Sequence, residues 1–98
     1  MSRAPQMTRE LAEMVAIQAL RFVAEEPDRL ERFLALTGIE PQSLRAAAQE
    51  AHFLLGVLDH LASDESLLRD FADQSEIDPE TILRARDQLS SGSENPAG

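Results

Sequence analysis

The chain has 98 residues, 43% of them hydrophobic, with nine arginines, no lysine, no cysteine and eighteen acidic residues, for a net charge of −9. A single chain of this length forms one domain, burying roughly 60–65% of the surface its unfolded form exposes. The composition excludes a disulfide framework or a thiolate metal site, no apolar run approaches the roughly 20 residues of a membrane span, and residues 1–7 lack the apolar region of a secretory signal, so the expectation is a soluble cytoplasmic protein.

The first helix starts after Thr8, which suits the N-cap position, places Glu10 and Glu13 near its positive end, and runs to about Glu25. Leu11, Met14, Val15, Ile17, Leu20, Phe22 and Val23 cover most of its circumference, the pattern of a central helix. Pro27 suits the first position of a second helix, supported by Asp28 and Glu31. Leu30, Phe33 and Leu34 form its buried stripe, and Gly38 ends it. Glu40 then takes a cap position, Pro41 the first turn, and Ile39 is spaced to meet Leu44 as a hydrophobic staple. A further helix over residues 51–62 carries Phe53, Leu54, Leu55, Val57, Leu58 and Leu61 on a wide apolar arc, with Gly56, Asp59 and His60 on the other side.

Residues 26–48 recur, shifted by 38 positions, as residues 64–86. Phe33 falls on Phe71, Ile39 on Ile77, Glu40 on Asp78, Pro41 on Pro79 and Leu44 on Ile82. The matches lie at apolar and capping positions, so the repeat encodes packing. Asp78 is the stronger cap of the two, and Ile77 is spaced to staple onto Ile82. Extended backwards, the shift sets Leu20 on Leu58 and Val23 on Leu61. Solenoids need at least three copies and only two fit here, which predicts an all-α, compact bundle of about six helices. In it, two three-helix units form a pseudo-two-fold repeat, each with one long buried helix and then two short ones. The predicted organisation is a flexible N-terminus over 1–7, one helical domain over 8–89 and a disordered tail over 90–98, where no large apolar residue offers an anchor.

Charge is unevenly distributed. Residues 1–49 hold seven acids and six arginines, whereas residues 50–98 hold eleven acids and three arginines. Such a field repels nucleic-acid backbones and anionic membranes and attracts a basic protein surface. The candidate partner-binding face is Asp64, Glu65, Asp70, Asp73, Glu76 and Glu80. Solvated helix faces that keep the domain soluble are the competing explanation of the same residues.

Three patterns invite a reactive reading beside a structural one. Residues 33–45 have the turn and short second helix of a helix-turn-helix, in which Gln42, Ser43, Arg45 and Gln49 would read bases. One arginine among alanines neutralises little phosphate, so nucleic-acid binding is the alternative reading and not the favoured one. His52 and His60 are two turns apart and about 80° apart around a helix, a poor metal spacing, and no further ligands cluster with them. Ser66 after Asp64-Glu65 resembles the attachment serine of acyl carriers, but a first-turn serine behind a capping residue explains it equally. With no phosphate loop, nucleophile elbow or paired catalytic carboxylates, the chain is expected not to be an enzyme and to need no cofactor or metal.

The segments Phe-Leu-Ala-Leu-Thr-Gly-Ile at 33–39 with Pro41 and Leu44-Arg45, Phe-Leu-Leu-Gly-Val-Leu-Asp-His-Leu at 53–61, Asp-Glu-Ser-Leu-Leu at 64–68 and Asp-Pro-Glu at 78–80 resemble a family. It is the group of short bacterial proteins known as a domain of unknown function, numbered three-five-seven-two. The resemblance covers about residues 8–89 and implies a compact helical domain, supplying no catalytic or binding residues. The sequence does not determine the function; what elimination leaves is a small, non-enzymatic, acidic helical protein-interaction module whose unknown protein partner would be basic, with a homodimer as a further alternative.

Overall fold

In the computed structural model, which describes residues 7–93, helix α1 (Arg9–Ala24) opens on Thr8, whose Oγ1 accepts a hydrogen bond from Leu11 N–H at 3.1 Å. Ala12, Val15, Ala16, Ala19, Phe22 and Val23 form its buried face. Four of these are separated by three or four residues and three of those four are alanines, so neighbouring backbones approach α1 closely along one line. Helix α1 is central, as its apolar pattern predicts, but its cover is incomplete. Leu11, Met14 and Ile17 are exposed, because α4 and α6 cover the inner side of α1 while nothing among the described residues covers the outer one.

Helix α2 (Pro27–Thr37) has one fully buried residue, Phe33, with Leu30 and Leu34 half-buried against the same core. A 3-10 turn (Pro41–Ser43) and the four-residue α3 (Leu44–Ala47) come next, then α4 (Ala51–Ala62), α5 (Glu65–Ser75) and α6 (Pro79–Ser93). Six helices and no strand occur among the described residues, so the chain is an all-α bundle. Its centre is the triad α1, α4 and α6, which pack on one another pairwise, with α2 laid on α1 and α5 bridging α4 and α6. Phe53, Leu54, Val57, Leu58 and Leu61 of α4 meet Ile82, Ala85 and Leu89 of α6 in this core, which contains no buried polar side chain among the described residues.

The two corners are built from the same local devices. Thr37 Oγ1 donates to the Phe33 carbonyl at 2.9 Å, and Ser75 Oγ donates to the Phe71 carbonyl at 2.7 Å. The same hydroxyls then accept from Ile39 N–H and Ile77 N–H, at 3.4 and 3.2 Å. Between hydroxyl and isoleucine the chain turns through a left-handed residue, Gly38 at φ +75° and Glu76 at φ +62°. Ile39, Leu44 and Ile77 pack against the core and Ile82 is inside it.

Beyond the corners the halves diverge, so the third helices of the two expected units are not equivalent. Glu40 turns its carboxylate sideways to accept from Gln42 Nε2 at 2.9 Å and makes no capping bond. The first corner leads into only a 3-10 turn and four helical residues. In the second copy Ile82 N–H donates to the Asp78 carbonyl at 3.1 Å and α6 continues for 15 residues. It extends through Ser93, past the expected domain limit at Leu89. The expected flexible and disordered ends otherwise fall on residues 1–6 and 94–98, which lie outside the described residues, while Met7 packs on the core.

Phe71 is buried in the core, with its ring centroid 5.3 Å from that of Phe22 of α1. Phe71→Ala is expected to lower stability by about 3–5 kcal/mol in denaturant unfolding, a large share of the roughly 5–15 kcal/mol available to a domain. Gly38→Ala is expected to cost about 1 kcal/mol, since alanine resists the left-handed turn.

Candidate functional site

The six acidic residues singled out in the sequence have different local partners. Asp64 is the N-cap of α5, where its carboxylate accepts from Leu67 N–H at 3.1 Å, and it is only partly exposed. Glu65 pairs with Arg69 at 3.6 Å and Glu80 with Arg84 at 3.5 Å, each across one helical turn. Asp70, Asp73 and Glu76 are on the surface, and no ion pair among the described residues involves them. Asp70 and Asp73 stand one turn apart on the side of α5 away from Phe71, and Glu76 closes the same helix. The three acids without an ion pair among the described residues thus lie toward the C-terminal end of α5, beside the corner.

Asp64 belongs to a different place. With Asp28, Arg29, Arg32, His60 and Leu67 it lines a cleft of about 280 Å³ between α2, α4 and the start of α5. Arg29 is committed to the scaffold: its guanidinium lies 3.9 Å over the Phe22 ring and Nη1 donates to the Phe22 carbonyl at 2.6 Å, closing the C-terminal end of α1. The sequence alone assigned Arg29 no role, although an arginine shortly after a helix that ends in Phe-Val-Ala is placed to satisfy its last carbonyls. His60 sits edge-on to Phe33, ring centroids 5.1 Å apart. Burial acts most strongly on it and lowers its pKa from the ordinary 6.5; the Asp64 carboxylate raises it and the Arg32 guanidinium lowers it further.

A second cleft, of about 270 Å³, lies on the other side of Phe33 and is mostly apolar, with His52 at its edge beside Ile39, Phe53 and Gly56. Thus His52 and His60 open onto different clefts, separated by the Phe33 ring. Among the described residues no three His, Asp or Glu side chains gather in a ligand set. The proposed base-reading residues are also separated: Gln42 and Ser43 are in the 3-10 turn, Arg45 is in the four-residue α3, and Gln49 lies beyond it. A recognition helix needs a longer rigid rod than this to enter a groove. Ser66 occupies the exposed first turn of α5, directly behind its Asp64 cap.

The family model described as Protein of unknown function (DUF3572) matches residues 9–92. The chain belongs to this family. The match spans all six helices except the last residue of α6, so the DUF3572 region and the helical bundle coincide. Comparison with curated proteins and with solved structures returned no match. No helix among the described residues of this DUF3572 protein is long and apolar enough to cross a membrane.

The depressed His60 pKa carries a stability consequence with a definite sign. The unfolded chain takes up the His60 proton near pH 6.5 while the folded chain resists it to lower pH. The contribution is therefore complete above pH 6.5 and is lost as pH falls through the folded pKa. An NMR titration is expected to place the His60 midpoint below 6.5, and His60→Gln is expected to flatten the corresponding part of the stability profile.

Proposed function

We propose that this chain is a non-enzymatic, cytoplasmic protein-interaction domain that meets a basic surface of its partner through Asp70, Asp73 and Glu76. The observation that carries the reading is Glu76. It occupies a left-handed turn, φ +62°, at the position that glycine fills in the first corner. For a residue with a side chain this conformation costs about 1–2 kcal/mol relative to ordinary helix, and such local cost concentrates where a side chain serves a purpose other than folding.

The sign change between the copies supports it. Arg32 and Gly38 of the first copy correspond to Asp70 and Glu76 of the second, while the packing residues around them are kept. Unlike Glu65 and Glu80, these acids make no ion pair among the described residues: Arg69, one turn before Asp73, is engaged by Glu65 at 3.6 Å, and the field of the three acids is available to a partner's arginines or lysines. Interactions of this type act more on association rate than on raw affinity and weaken with salt.

The test is affinity capture from the native cell with the full chain, set beside an Asp70→Arg, Asp73→Arg, Glu76→Arg triple variant of matched helical content. Partners that bind the wild type, fall away in high salt and are missing from the triple variant support the proposal; partners that survive charge reversal overturn it. Glu76→Gly separates binding from folding. It is expected to raise stability by about 0.5–1 kcal/mol by relieving the left-handed strain, while slowing partner association.

A further inference from the structure

The outer face of α1 is apolar in the middle and oppositely charged at its ends. Glu10, Met14, Ile17 and Arg21 follow a four-three-four spacing that places them on one line, facing away from the buried Ala12, Ala16, Ala19 and Val23. Met14 is 56% exposed, Ile17 41% and Leu11, beside them, 39%. Three of the four large exposed hydrophobic residues among those described thus lie on this one helix. Neither Glu10 nor Arg21 makes an ion pair among the described residues.

We infer that this face is the seat of a second copy of the chain, docked with the two α1 helices antiparallel about a two-fold axis between Met14 and Ile17. The line is self-complementary in that orientation. Crossing at its midpoint sets Glu10 against Arg21 of the second copy and Met14 against Ile17 of the second copy, and the two-fold repeats each pair. A parallel arrangement would set Glu10 against Glu10 and Arg21 against Arg21, so the end charges select one orientation. Antiparallel helices also bring the positive end of each dipole to the negative end of the other. One helix from each copy, about 24 Å long, makes an interface at the small end of the range, below the roughly 1,200 Å² of standard complexes. The dimer is accordingly weak and populated at high protein concentration. It does not depend on the acidic corner of α5, and either assignment stands if the other fails.

Sedimentation equilibrium of the full chain over a concentration series at roughly physiological ionic strength tests it. The wild type is expected to associate reversibly to a dimer. Glu10→Arg and Arg21→Glu are each expected to weaken the dimer roughly tenfold, and the double exchange to restore it, because the swapped charges face each other again. Glu10→Arg is the decisive arm, since it moves the net charge from −9 toward −7 and so reduces repulsion between whole molecules, yet is expected to weaken association. Met14→Glu is expected to abolish the dimer with helical content unchanged by circular dichroism. A wild type that stays monomeric throughout overturns the inference, as does a dimer that tolerates Met14→Glu or a double exchange no tighter than the single variants.

Discussion

Helices α2 and α5 are each anchored to the bundle by one buried phenylalanine with half-buried leucines beside it, and their placement on the α1, α4, α6 triad depends on that attachment. Phe33 is the one fully buried residue of α2, and Phe71 with Ala72 does the same for α5. The rings find aromatic partners already in the core, Phe53 at 5.8 Å for the first and Phe22 at 5.3 Å for the second. Burying one such ring contributes about as much as a whole exposed helix can gain from propensity and surface pairs, so short helices of 11 residues can be held in place. The hydroxyl four residues later bonds back to the phenylalanine carbonyl, which ties the direction of the exit corner to the anchored ring.

This coupling explains why the corners were readable from the letters. Phe, Thr or Ser, Gly or Glu, Ile and Pro stand at equal offsets in both copies, and each has a local reason to be there: a ring to bury, a hydroxyl to relay, a left-handed turn, an isoleucine to pack on the core and a first-turn proline. The helix starts at Thr8 and Asp64 were equally local. The features that stayed hidden depended on neighbours distant in sequence. The exposure of Met14 and Ile17 is decided by how many helices are available to surround α1, which no spacing within α1 records. The continuation of α6 past Leu89 through a serine-rich stretch likewise goes against local composition.

For the acidic face the division is different. Glu65 with Arg69 and Glu80 with Arg84 stand at the four-residue spacing of a helical ion pair, so their neutralisation was already present in the sequence. The capping bond of Asp64 selects one of two residues, Ser63 and Asp64, that the sequence offers for the start of α5. That Arg29 stacks on Phe22 and closes α1 required the angle between α1 and α2, which only the folded chain supplies.

The pairing of α1 with α6 has a consequence for how the molecule comes into being. These are the first and last of the six helices to leave the ribosome, and each lays its buried face on the other and on α4. Until α6 has emerged, the alanine line of α1 and the leucines of α4 have no third wall, and the nascent chain presents them to solvent. Most contacts within helical domains are between near neighbours, which lets them fold quickly; closure here waits on a contact spanning nearly the whole chain. Synthesis at about 5–20 residues per second leaves an interval of seconds in which that surface is open, and chaperone occupancy of stalled chains would be concentrated there.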